Sequence, residues 1–227
     1  QFLWQKIRIA KLSPNDDILP PAGRRAITGV MASLGKTTYK DYLMHGLKLT
    51  MWASGAFKAL GSETHFLRLT WDLRAYWRLG QVAGNLAGRL HGGYLHGGTF
   101  LDEYALGSFS GLRGFQYAHF LGKSYVAGSM EYRTGLLTLN FPIVSKLHSV
   151  FRGKTLKMQG VAFSEMGSVT GSRHHATSES GTLLWSIGAG FRGIFVPFYK
   201  AVLRVDACYT LRPFRSFDLM IATQQAF

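Results

Sequence analysis

Leu67-Arg68-Leu69-Thr70-Trp71-Asp72-Leu73-Arg74-Ala75-Tyr76-Trp77-Arg78-Leu79 alternates between two faces without a break. Leu67, Leu69, Trp71, Leu73, Ala75, Trp77 and Leu79 share one face, and Arg68, Thr70, Asp72, Arg74, Tyr76 and Arg78 share the other. Successive side chains of a strand point to opposite sides, whereas at helical spacing these residues would scatter around the axis. Thirteen residues is also long beside the ~5–6 of an ordinary soluble strand. The stretch reads as one long strand between two different environments.

The pattern recurs along the chain. Leu47, Leu49, Met51, Ala53 and Phe57 alternate with Lys48, Thr50, Trp52, Ser54 and Lys58, and Leu203, Val205, Ala207, Tyr209 and Leu211 with Arg204, Asp206, Cys208 and Thr210. Trp185, Ile187, Ala189 and Phe191 follow the same rule, as do Phe217, Leu219 and Ile221. An apolar face with aromatics, opposite a face of charges and glycines, is the signature of an antiparallel transmembrane β-barrel. Closure of such a barrel removes the unpaired edges that lipid cannot satisfy. The segmentation gives about ten strands, at roughly 1–11, 26–36, 46–60, 64–79, 82–96, 122–137, 149–167, 181–195, 199–211 and 215–227. Tight connections near Gly80-Gln81 alternate with long polar ones at 12–25, 97–121 and 168–180. No helix and no domain boundary stands out, so residues 1–227 are expected to form a single barrel domain.

Composition narrows the class. The 227 residues carry 26 Lys+Arg against 12 Asp+Glu, a formal charge of +14. Lys and Arg enter singly within alternating segments rather than in clusters, which argues against nucleic acid as a partner. Cys208 stands alone, excluding an internal disulfide framework or a Cys-rich zinc module. No apolar run reaches the ~20 residues of a membrane helix. The start at Gln1 lacks a signal-type segment, as in a mature or trimmed product.

Few motifs suggest chemistry. Gly188-Ala189-Gly190-Phe191-Arg192-Gly193 matches a dinucleotide fingerprint by letter, but that fingerprint needs a helix opening inside it, and this copy sits in a strand. The glycines there thin the polar face or permit bending. His174-His175 beside Arg173 has no acidic or Cys neighbour and reads as a solvated loop. Asp72 and Asp206 are isolated carboxylates among arginines, more readily structural ion pairs than acid–base groups. No nucleophile constellation appears, so an enzyme is not expected, nor a metal or cofactor.

The connection Phe100-Leu-Asp-Glu-Tyr104-Ala-Leu106-Gly107-Ser-Phe-Ser-Gly-Leu112-Arg113-Gly114-Phe115 holds too many aromatics and glycines for a merely solvated loop. A compact loop folded into the barrel is the better reading. Leu106-Gly107 followed by Leu112-Arg113-Gly114-Phe115 resembles the (V/L)RGF loop of the BamA/TamA-type outer-membrane assembly and secretion superfamily, the bacterial surface-antigen barrels. The likeness extends over most of the chain. Asp41 to Gly46 sits where members carry a D…P-x-x-G periplasmic turn, here without the Pro. Leu69 to Tyr76 and Ala87 to Gly93 resemble the strands before the loop, and Gly128-Ser-Met-Glu131-Tyr-Arg the strand after it. Ala162-Phe-Ser-Glu165-Met-Gly167-Ser-Val169 is similar to the family's F-x-D-x-G-x-V strand, and Phe227 to its C-terminal aromatic signal.

The resemblance implies insertion of proteins into, or their translocation across, the outer membrane, without a cofactor. It implies outer-membrane lipid or lipopolysaccharide and an unfolded or secreted protein as partners, with other chains or an N-terminal periplasmic module as further candidates. The membrane is bacterial by default, mitochondrial or plastid as the alternative. A dedicated secretion pore for a fused or partner passenger is the second function, and a small anion-favouring pore or structural barrel the third. Family barrels commonly have sixteen strands, and soluble POTRA modules precede many of them; none is expected in these residues. This chain is then a compact barrel, the C-terminal part of a larger one, or a barrel completed by partner chains. By the same resemblance Arg113, Gly114 and Phe115 form a clasp inside the lumen, with Arg113 meeting Glu131 or Glu165. A guanidinium can fork onto a carboxylate, and a lysine cannot copy that fork.

The strand phase also assigns the positive charge. With Leu67, Leu69, Trp71 and Leu73 toward lipid, Arg68, Arg74 and Arg78 point into the lumen, and equivalent phasing adds Lys48, Arg89, Arg133, Arg192 and Arg204. Against them stand Asp72, Glu131, Glu165 and Asp206. The opposite phase would place bases in lipid at ~2–4 kcal/mol each near the midplane. A cationic lumen favours anions, acidic substrate segments or lipid phosphate near its mouth.

Overall fold

The computed structural model describes residues 2–7, 23–40, 43–99, 102–108, 111–115, 120–140, 155–171, 181–195 and 202–223. Among the described residues, besides a 3-10 turn at Lys58–Leu60, the regular elements are strands. They are β1 (Phe2–Ile7), β2 (Gly23–Lys40), β3 (Leu43–Ala56), β4 (Phe66–Gly80), β5 (Gly84–Gly97), β6 (Tyr104–Leu106), β7 (Phe120–Gly122), β8 (Ser124–Arg133), β9 (Leu137–Asn140), β10 (Thr155–Thr170), β11 (Leu184–Phe195), β12 (Val202–Arg212) and β13 (Ser216–Thr223). Ten of them form one continuous antiparallel path, β1-β2-β3-β4-β5-β8-β10-β11-β12-β13, with β9 added beside β10. This all-antiparallel meander is the β-barrel architecture. Among the described residues β1 pairs only with β2, and β13 only with β12.

Period-two geometry sorts the side chains. In β8, Met130 is 68% exposed on the outer face and its neighbour Glu131 is 1% exposed on the inner one. The quoted stretch lies in β4, where Leu69 pairs with Tyr94 and Ala53 on the outside, and Asp72 with His91 and Thr50 on the inside. Leu90, Val126, Met166, Phe191, Leu219 and Ile221 continue the exposed apolar belt. Burial is therefore inverted relative to a soluble domain: the apolar belt awaits lipid, and the buried side chains include many charged ones.

The turn between β4 and β5 shows why glycine is needed locally. Gly84 has φ +80°, and a Cβ there would lie 1.9 Å from the Arg133 carbonyl oxygen.

Several boundaries differ from the sequence reading. β2 runs to Lys40 and begins at Gly23, so it is longer than the strand expected at 26–36. Lys36, Thr37, Thr38, Tyr39 and Lys40 blur the apolar alternation, yet each pairs across to β3. Met44, His45 and Gly46 thus belong to a ladder rather than to the turn expected at 41–46. The expected strand 122–137 is interrupted after Arg133, where Thr134 accepts from Gly160 through its hydroxyl, and pairing resumes at β9. The expected loop 97–121 carries a small hairpin, β6 against β7.

Candidate functional site

The segment between β5 and β8 is folded onto the inner face of the sheet. Leu106, Leu112, Phe115 and Phe120 pack with Ala127 of β8, Val169 of β10 and Leu184 of β11 in one buried cluster. Apolar loop residues fill the barrel interior, where side chains of small barrels otherwise sit. The approach is close. Gly114 has φ +87°, and a Cβ there would come within 3.0 Å of Thr210 Oγ1 and 3.2 Å of Cys208 Cβ. Thr210 Oγ1 donates to the Gly114 carbonyl at 2.9 Å, fixing the loop on β12.

Arg113 is the hub. Its Nε donates to Glu165 Oε1 at 2.6 Å, and its backbone N–H also reaches Glu165. Its Nη1 lies 2.9 Å from Glu131 Oε2 and 3.1 Å from Asp206 Oδ2. One guanidinium thereby joins β8, β10 and β12. Its Cζ lies 3.4 Å from the centroid of the Phe163 ring, a cation–π stack in a desolvated setting. All four charged side chains are at most 2% exposed.

The floor beneath this hub depends on two strand glycines. A Cβ on Gly188 would sit 2.3 Å from the Phe163 ring, and one on Gly190 would sit 2.1 Å from Asp206 Oδ1. The fingerprint-like Gly188–Gly193 run therefore lies within β11, making room for the stacked ring and the acceptor carboxylate.

The remaining arginines surround the hub. Arg133 Nε donates to Glu131 at 2.6 Å, Arg192 pairs with Asp206, and Arg204 Nε lies 3.2 Å from Asp206. Toward the other side, Arg74 and Arg89 both bind Asp72, at 2.8 and 2.7 Å. Arg68 donates to the Asp102 carbonyl and lies over the Phe66 and Tyr104 rings. Lys48 pairs directly with Arg74 across the ladder, and Arg78 with Asn85. All eight bases share the inner face. Lys48 is exposed, because among the described residues the loop reaches β2 and β3 only near Arg25 and Ala56 and leaves their inner face open around Met31, Trp52 and Lys48.

A second tie was missed in the sequence. Arg25 of β2 forks onto Asp102, Nη1 to Oδ1 at 2.7 Å and Nη2 to Oδ2 at 3.2 Å. Thr99 supports the same carboxylate through its N–H at 2.8 Å and hydroxyl at 2.9 Å. The loop thus bridges from β2 to β12. Asp206 as a partner of Arg113 and Phe163 as its platform were missed as well. Their inward phase was readable, but nothing local in the sequence specifies which inward groups meet. Phe227 and His174-His175 lie outside the described residues. Among the described residues no group of His, Cys, Asp or Glu is arranged to hold a metal.

The family model for the Omp85 superfamily domain matches residues 15–209, from ahead of β2 through most of β12 and including the whole clasp loop. No curated protein matches the chain.

Proposed function

Since this chain belongs to the Omp85 superfamily, whose barrels insert or secrete proteins at outer membranes, we propose that it is a protein insertase of the bacterial outer membrane. The observation that carries this reading is the loop clasped inside the sheet, tied to β8, β10 and β12 through Arg113 and to β2 through Asp102. A sheet edge that opens presents a row of N–H and C=O groups to which an incoming strand can add. In lipid that addition is strongly favoured, because water is not there to satisfy the same groups. A loop fixed at β2, β8, β10 and β12 holds the sheet's curvature while a substrate strand adds to it. An unfolded barrel protein is the substrate, and no cofactor or catalytic residue is required.

A secretion pore for a dedicated passenger is the second reading, favoured by the open stretch of inner face at Met31, Trp52 and Lys48. Reconstitution separates them. Proteoliposomes carrying the chain should accelerate folding of a urea-denatured outer-membrane barrel over empty liposomes. Unaltered folding, together with steady ion conductance, would overturn the insertase in favour of the pore.

A further inference from the structure

The outer face of the sheet is not uniformly filled. Two depressions, about 680 and 480 Å³, share Ala75, Gly88 and Met130 and so form one furrow. Each is within the ~300–1,000 Å³ of ordinary ligand sites. The furrow runs from Val126 and Ser168 at one end to His45, Leu47 and Trp77 at the other. On β5 this corresponds to positions 86 to 92, about 20 Å at ~3.4 Å per residue. On strands tilted ~35–45° that spans about 15 Å of the ~25 Å apolar band of such a barrel.

Gly88 keeps the furrow open, and the backbone does not require it. Glycine weakens a strand interior, and elsewhere in this sheet it is forced: at Gly188 and Gly190 a Cβ would collide within 2.5 Å. At Gly88 a Cβ would come within 4.0 Å only of the Ala75 carbonyl oxygen. The side chain is missing where there is room for one.

The lower end of the furrow carries charge and an interfacial aromatic. His45 lines it. Lys36 pairs with Leu47, which pairs with Ala75, so Lys36 lies in the same outward-facing row and is exposed. Trp77, 69% exposed, stands beside them, a residue type that favours the headgroup level. An apolar furrow ending in two basic side chains and a tryptophan complements an acyl chain ending in a phosphate.

We propose that this furrow is a site for one glycerophospholipid. An acyl chain lies over Gly88 between β4 and β8, and the phosphate is held at Lys36 and His45 on the side of the short turns. The occupant follows from where the groove lies: this face is the one covered by the bilayer, and the charge at its end selects a phosphate-bearing lipid.

The test is native mass spectrometry of the full chain in mild detergent supplemented with dioleoyl-phosphatidylglycerol. One retained lipid per chain is expected. Gly88→Leu should lower its occupancy about tenfold, equivalent to ~1.4 kcal/mol, and Lys36→Gln should lower it less. Ala189→Leu, on the outer face away from the furrow, should leave it unchanged. If Gly88→Leu yields no folded band on an unboiled gel, Ala75→Leu tests the same furrow. Equal retention in wild type and the furrow variants overturns the proposal. So does equal loss in Ala189→Leu, or displacement of the lipid by lipopolysaccharide alone.

Discussion

Replacing Arg113 with alanine should injure one carboxylate far more than the other two. Glu131 keeps Arg133 and Arg192, and Asp206 keeps Arg192 and Arg204. Glu165 has Arg113 as its only cationic partner among the described residues, and the Glu165 side chain is 1% exposed. Breaking a buried pair by removing one member costs ~3–5 kcal/mol, mostly through the charge left behind. At ~2–4 °C per kcal/mol for a chain of this size, Arg113→Ala should lower the unfolding midpoint by about 6–20 °C. Glu165→Gln should cost less, since Arg113 retains Glu131 and Asp206. The double variant Arg113→Ala/Glu165→Gln should recover part of the loss, a coupling of ~1–3 kcal/mol. Arg113→Lys should fall between, keeping the charge but losing the fork. The assay is the temperature at which the folded band of the purified chain is lost on an unboiled gel. Additive losses in the double variant, or equal losses in the two single ones, would refute the assignment of Glu165 as the dependent partner.

Arg25→Asp and Asp102→Arg should each make the loop sensitive to added protease, and the combined swap should restore resistance, read as the rate of loop cleavage. Gly188→Val and Gly190→Val should prevent formation of the heat-shifted folded band, because overpacking costs ~1–3 kcal/mol or more where neighbours cannot yield; a normal band for either would show that the Phe163 and Asp206 positions adapt. In planar bilayers any conductance should favour chloride over potassium, given Arg25, Arg113 and the eight further inward bases against Asp72, Asp102, Glu131, Glu165 and Asp206. A reversal potential of the cation-selective sign would count against that electrostatic argument.

What the sequence disclosed follows from period two. Alternation in Leu67–Leu79 fixed a strand, its phase and the side on which Arg68, Asp72 and Arg74 lie, because a pleat leaves no other choice. The same logic placed Glu131, Glu165 and Asp206 inside. It could not say that Asp206 shares Arg113 with Glu131, since such partners are set by strand order and loop path, not by any local pattern. Arg25 and Asp102 are 77 residues apart, and neither stands out in its own segment. β2 was underestimated because lysines and threonines near its end resemble a turn, whereas an amphipathic strand near the membrane edge tolerates them.

An insertase holds its substrate strand against its own sheet until folding is complete. A photo-cross-linker installed at Leu219 in β13, and separately at Val126 in the middle of the sheet, should be irradiated while a urea-denatured barrel protein folds into proteoliposomes carrying the chain. Adducts with the substrate should form from Leu219 and disappear once folding is complete, and none should form from Val126. Equal adducts from both positions, or adducts from Val126 alone, would contradict the insertase reading.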